Sequence, residues 1–221
     1  MELADSRLRL DEPAPHVARL TLDNPAKRNA LDHGILDAIA AILPTLEDVR
    51  CLLITAVGPV FSAGYDIGIL PGSPGFADEA EALVAHPFTT AIEALEAFPY
   101  PAVAALNGHA IGAPRTRELF LRGRNVDVVT AHSWGLVNEV VPSGVLAQAA
   151  IDYAAEVAAN APLSLAGNKR VLRELLAAQG ALAPETEREL IALREACFAS
   201  EDFSEGVRAF GEKRAPQWRG R

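Results

Sequence analysis

The chain has 221 residues, half of them hydrophobic and 22% charged, with 20 basic against 29 acidic side chains for a net charge of −9. So apolar a composition excludes intrinsic disorder, and two cysteines, Cys51 and Cys197, exclude a disulfide scaffold or a cysteine-rich zinc module. The acidic balance excludes a general nucleic-acid binder, because phosphate neutralisation needs a basic field, so any anionic ligand requires a local basic cluster.

Acids in Met1–Asp5 stand where a signal peptide carries bases. No run approaches the roughly 20 apolar residues of a membrane span. The expectation is a cytoplasmic protein with no membrane partner. His16–Asp23 reads as a first strand, alternating in its second half, and Arg50–Thr55 as a short apolar strand covered on both faces. Between them Asp32 caps a helix whose Ile35, Leu36, Ile39, Ile42 and Leu43 share a face, and Pro44 ends it. This strand–helix–strand start favours an α/β architecture.

Gly58 to Gly75 holds five glycines and three prolines, the composition of a functional loop. A helix from about Pro87 to Phe98 precedes a third apolar strand, Ala102–Leu106. From Val145 the chain turns to successive helices. Leu146, Ala149, Ala150, Tyr153, Ala154 and Val157 form an apolar stripe, and Pro162 opens the next helix. A further helix near Pro184 carries Leu190, Leu193 and Cys197, and Ser200 caps a last one with Glu201 and Asp202 in its first turn. The division expected is an α/β core over 1–142 and a helical region over 143–221.

Three local patterns stand out: Asn24-Pro25-Ala26-Lys27-Arg28-Asn29-Ala30-Leu31, Val60-Phe61-Ser62-Ala63-Gly64-Tyr65-Asp66-Ile67, and Asn107-Gly108-His109-Ala110-Ile111-Gly112. Singly they are a basic turn, a strand-to-helix turn and a pair of packing glycines. Together, in this order, they resemble the enoyl-CoA hydratase/isomerase (crotonase) family, and the resemblance extends to Trp134–Pro142 and to Ser200–Arg214. It implies a crotonase-like ββα spiral with a helical C-terminal oligomerisation region, a homotrimer or hexamer, and an acyl-CoA thioester as substrate. It implies no cofactor beyond the CoA that the substrate carries.

Proton movement beside a thioester carbonyl passes through an enolate, and fixed N–H donors aimed at its oxygen stabilise the growing charge. By resemblance one donor is the N–H of Ala63. The other comes from Gly112-Ala113, where the family usually has a second glycine, with a helix at Pro114 adding its positive end. Lys27 and Arg28 are the natural anchors for CoA phosphates in an acidic protein. Ala30, Ser62, Gly64, Tyr65, Asp66, Ile67 and Gly108 match positions around the acyl-CoA cleft, with Tyr65 bulky enough to narrow the acyl pocket. The C-terminal bases Arg208, Lys213, Arg214, Arg219 and Arg221 read as a solvated tail in preference to a further phosphate contact.

The pattern breaks after Gly112. Hydratases of the family use two glutamates as base and acid; counting from Ala113, the first falls on Thr116, which is no general base near neutral pH. Glu118 lies two residues on, about 200° around a helix. The second falls in a stretch of at least one βαβ unit, about 30 residues, that is missing between Gly112 and Arg115. Read as a true deletion, this leaves a degenerate, non-catalytic acyl-CoA binder; otherwise the chain is a hydratase/isomerase or a malonyl- or methylmalonyl-CoA-type decarboxylase of the same family.

Other chemistries fit less well. A serine nucleophile elbow needs glycine where Val60 stands. The histidines His16, His33, His86, His109 and His132 show no metal-ligand spacing, so no metal is expected and ordinary surface or packing roles are. Cys51 and Cys197 read as core thiols. There is no dinucleotide or phosphate-loop fingerprint.

Overall fold

The computed structural model describes residues 1–66, 89–107, 126–180, 199–217 and 219, with helical positions 185, 186, 188, 189, 192 and 196. Its strands are β1 (Glu2–Leu3), β2 (Leu8–Ala14), β3 (Val17–Leu22), β4 (Cys51–Ala56) and β5 (Ala102–Ala104), lying in that order in one sheet. The first three pair antiparallel and the last three parallel. Its helices are α1 (His33–Ile42), α2 (Val128–Ser133), α3 (Leu146–Ala158), α4 (Pro162–Gly180) and α5 (Glu201–Gly211), with further helical turns over 89–97. The α/β class expected from the sequence is the one observed.

Strand alternation decides what each face of the sheet carries. Ala18, Leu20 and Leu22 of β3 join Leu52 of β4 on one face, where Ile35, Leu36 and Ile39 of α1, Leu43, Ala91 and Phe98 cover them. Val17, Cys51 and Leu53 point the other way, against Ala150, Ala154 and Ala158 of α3 and Ala105. Covered on both faces, β4 reads as a continuous apolar run for that reason. Each fully buried leucine contributes about 1.5–3 kcal/mol. Burial around Cys51 pushes its thiol up to about 11, in keeping with a core thiol.

Helix ends follow the sequence signals. The Asp32 carboxylate accepts from the Ile35 N–H at 3.0 Å, and the Ser200 hydroxyl oxygen accepts from the Phe203 N–H at 3.0 Å; each such cap is worth about 1 kcal/mol. Pro162 begins α4. The α3 stripe needs a correction: its buried positions are Ala150, Ala154 and Ala158, spaced by four, and Tyr153 is exposed. Small side chains let α3 approach the sheet closely, and Tyr153 is too large for that face.

Three features lie outside the sequence expectation. β1 and β2 pair at the N-terminus although Pro13 interrupts the alternation of Leu8 and Leu10; the register shifts between Asp11 and Ala14, which absorbs a residue without an N–H. Asp127 caps α2 by accepting from the Thr130 N–H at 2.9 Å. Lys169 of α4 donates to the carbonyls of Leu95, Phe98 and Tyr100, closing the helical turns that lead into β5. Burial, then the nearby Arg173, lowers the Lys169 ammonium from its ordinary value, against the pull of Glu96. No described helix is long and apolar enough to cross a membrane.

Candidate functional site

In a parallel sheet, ligands bind beyond the carboxyl ends of the strands. The three singled-out patterns all begin at that edge: Asn24–Leu31 follows β3, Val60–Asp66 lies beyond β4, and Asn107 follows β5. Asn107 ties two of these ends together, its Nδ2 donating to the carbonyls of Ala56 at 2.9 Å and Gly58 at 2.6 Å.

The first turn is held by one buried residue. Pro25–Lys27 forms a 3-10 turn, and Arg28 and Asn29 both take φ of 53°, the left-handed region. Asparagine tolerates that conformation better than most residues. Asn29, 1% exposed, accepts at Oδ1 from the Asn24 N–H at 2.8 Å and donates from Nδ2 to the carbonyls of Val57 at 2.9 Å and Val60 at 2.7 Å. The turn after β3 is therefore stapled to the chain leaving β4.

Beyond the staple the two segments zip together. The Ala63 N–H donates to the Arg28 carbonyl at 3.0 Å, the Leu31 N–H to Gly64 at 2.8 Å, and the Asp66 N–H to Leu31 at 3.0 Å, with Leu31 and Tyr65 bridged in parallel. Ser62 donates from Oγ to the Asn29 carbonyl at 2.9 Å and accepts from the Gly64 N–H at 3.1 Å. Its hydroxyl is a strut between the two segments. Gly64 has φ of 84°, which a side chain would strain. Ala30 is buried in the same seam.

Ala30, Ser62, Ala63, Gly64, Tyr65 and Asp66 are thus brought together, with Lys27 and Arg28 on the adjoining turn. Ile67, Gly108, Gly112 and Ala113 lie outside the described residues, as do Thr116 and Glu118. Two expectations are modified. Lys27 Nζ donates to Asp66 Oδ2 at 2.7 Å, so its charge is compensated; Arg28 is exposed and makes no ion pair among the described residues. The Ala63 N–H, expected to face a ligand oxygen, is bonded to the Arg28 carbonyl.

Sequence reasoning missed His33. Its Nε2 lies 2.6 Å from the Tyr65 hydroxyl, the rings 5.9 Å apart and tilted by 50°. Burial, then the Asp66 charge, pushes the Tyr65 phenol above its ordinary value. The signal was weak: one histidine after a cap residue, 32 positions from its partner.

The C-terminal bases also differ from a solvated tail. Buried Glu205 binds the guanidinium groups of Arg208 and Arg214 and accepts the Gln217 N–H at 2.9 Å, while the Arg219 N–H donates to Asp202 at 2.6 Å. These contacts fold residues 212–217, and 219, back on α5.

Comparisons with known proteins show what the chain is similar to. The chain is 28% identical to 2,3-dehydroadipyl-CoA hydratase of Escherichia coli, with 93% of this chain and 96% of that protein covered. It is 26% identical to 1,2-epoxyphenylacetyl-CoA isomerase of the same organism, at 93% and 95% coverage. A solved structure of methylmalonyl-CoA decarboxylase in complex with 2-nitronate-propionyl-CoA superposes with a TM-score of 0.83 at 22% identity, covering 97% of this chain and 99% of that one, a likeness of fold alone. The alignment to the hydratase runs over 255 residues yet takes in 93% of the 221 residues here, about 206, so about 49 aligned positions have no counterpart in this chain. The enoyl-CoA hydratase/isomerase family profile matches residues 12–115 and 111–221, two stretches that meet at the Gly112 junction and together take in β3, β4, β5, the zipped seam and the C-terminal helices. The chain belongs to the enoyl-CoA hydratase/isomerase family.

Proposed function

We propose that the seam between Asn24–Leu31 and Ser62–Asp66 binds an acyl-CoA thioester and stabilises the enolate formed beside its carbonyl, and that the chain acts as an enoyl-CoA hydratase/isomerase. The observation carrying this reading is that Asn24–Leu31, Val60–Asp66 and Asn107 all lie at the carboxyl edge of the parallel strands, with the first two segments stapled through Asn29. Ala63 supplies one N–H to the thioester oxygen by opening or sharing its bond to the Arg28 carbonyl, and the Gly112-Ala113 turn supplies the other. Arg28 is the leading phosphate anchor, with Lys27 secondary. Ala30, Gly64, Tyr65, Asp66, Ile67 and Gly108 line the cleft. No cofactor is needed beyond the substrate's CoA.

The reading includes a cytoplasmic homotrimer or hexamer assembled through residues 143–221. Exposed Leu163, Val171 and Leu172 on α4 and Phe210 on α5 support it, being large apolar side chains that a partner would cover.

A second reading is an acyl-CoA binder without turnover. It is favoured by the family match dividing at 111–115 and by the roughly 49 unmatched positions, more than the ~30 residues of one βαβ unit. Loss of enoyl absorbance from crotonyl-CoA decides between them, with methylmalonyl-CoA as a parallel test for decarboxylation. Hydration supports the first reading. Binding of both thioesters without turnover of either supports the second, and turnover of methylmalonyl-CoA alone makes the chain a decarboxylase.

A further inference from the structure

The contact between Tyr65 and His33 has no part in enolate stabilisation by backbone donors. Its two side chains come from the two segments that form the seam. Tyr65 follows Ala63-Gly64 and bridges to Leu31; His33 is the first residue of α1, next to the Asp32 cap. At 2.6 Å between hydroxyl and Nε2 this is a hydrogen bond, and the tilt of the rings rules out a stack.

Such a pair has two hydrogen-bonding directions. A neutral imidazole accepts at Nε2 from the phenol O–H. An imidazolium donates Nε2–H to the phenol oxygen, and the O–H is turned to another acceptor. Because burial and Asp66 hold the phenol above its ordinary value, it keeps its proton through the neutral range and remains a donor. The charged groups around the pair are Asp66, bound to Lys27; Asp32, bound to Arg7; and Asp37, one turn along α1.

We propose, resting on the acyl-thioester reading above, that His33 and Tyr65 relay a hydrogen bond to an anionic oxygen of the bound acyl group. The imidazole takes one proton from solvent, Nε2–H donates to the phenol oxygen, and the Tyr65 O–H donates to the ligand. The proton stays on the imidazole, and no bond to carbon forms or breaks in this step. The ligand class is a CoA thioester with a negative oxygen close to the thioester carbonyl: either the carboxylate of a malonyl-type thioester, which arrives ionised, or the enolate of a 3-ketoacyl thioester, whose carbon-bound proton leaves to solvent as the imidazole gains one.

Calorimetric titration at pH 7 in two buffers of different ionisation enthalpy tests this, using acetoacetyl-CoA, malonyl-CoA and propionyl-CoA. With malonyl-CoA, whose carboxylate is already ionised, the unmodified protein is expected to take up about half a proton or more, and with propionyl-CoA none. Acetoacetyl-CoA bound as its enolate sheds one carbon-bound proton as the imidazole gains one, so it is expected to show the enolate absorbance with no net uptake. Uptake with malonyl-CoA identifies a carboxylate, and the enolate absorbance of bound acetoacetyl-CoA an enolate. Tyr65→Phe and His33→Gln are expected to abolish the uptake and to weaken the anionic ligand about tenfold more than they weaken propionyl-CoA. Binding of malonyl-CoA without proton uptake together with binding of acetoacetyl-CoA without the enolate absorbance, or equal weakening of all three thioesters in both variants, overturns the relay and leaves the acyl-thioester site standing. Failure to bind any thioester overturns both.

Discussion

Lys27 Nζ donates to Asp66 Oδ2 across 2.7 Å, which joins the turn after β3 to the far end of the zipped segment by an ion pair as well as by backbone. The pair is lopsided: the Asp66 side chain is 10% exposed and that of Lys27 is 55% exposed. One partner needs the other more, and the two basic residues of the turn consequently have different jobs.

Lys27→Met leaves a buried carboxylate without its cation. Because the lysine is half in water, the expected loss is about 1–2 kcal/mol, below that of a fully buried pair. Arg28→Ala is expected to leave stability unchanged but to weaken CoA-thioester binding by about 1 kcal/mol, roughly fivefold. Urea denaturation and calorimetric titration of both variants check the division.

Asn29→Ala removes both partners of the Val57 and Val60 carbonyls and the acceptor for Asn24, and places alanine in the left-handed region. A loss of about 3 kcal/mol or more is expected from the buried groups left unpaired. Asn29→Asp is expected to be at least as damaging, since a carboxylate oxygen would then face two carbonyls. Midpoints of urea unfolding provide the measurement.

Glu205 is held far below the usual carboxylate range, first by its hydrogen bonds from Arg214 and Arg208, then by the Gln217 N–H. A carboxyl depressed on folding stabilises the protein above its ordinary value, near pH 4, and loses that contribution as the pH falls below it. Glu205→Gln is therefore expected to be less stable than the unmodified protein at pH 7, with the difference shrinking under acid. It should also release residues 212–217, which faster tryptic cleavage after Arg208, Lys213 and Arg214 at neutral pH would register.

Ala154 is fully buried where α3 lies on the sheet. Ala154→Leu is expected to cost about 1–3 kcal/mol by overpacking, whereas Tyr153→Ala, on the exposed side, should stay within about 0.5 kcal/mol of the unmodified protein. Thermal or urea unfolding of the two distinguishes a docked α3 from a loosely attached one.

Local signals were legible in the sequence wherever one residue decides the outcome. Asp32, Ser200 and Pro162 set helix ends, and the apolar run at Cys51–Thr55 marked a strand covered on both faces. Pairings between distant residues were not. Nothing local to Lys27 shows that Asp66, 39 positions on, neutralises it, or that His33 meets Tyr65. Glu205 likewise gathers arginines that composition alone reads as a free basic tail. The site's backbone was legible by motif, because a glycine with φ of 84° and a left-handed asparagine leave residue-type signatures; where the N–H of Ala63 points was not, since backbone donors leave none.

The most direct measurement is a crystal structure with a non-hydratable acyl-CoA thioester bound. The thioester oxygen is expected about 2.7–3.2 Å from the Ala63 nitrogen, with the Ala63–Arg28 hydrogen bond lengthened or shared and a CoA phosphate near the Arg28 guanidinium. A thioester group seated away from the Ala63–Gly64 turn, with the Ala63 N–H still bonded to Arg28 alone, would contradict the assignment of this seam as the acyl-thioester site.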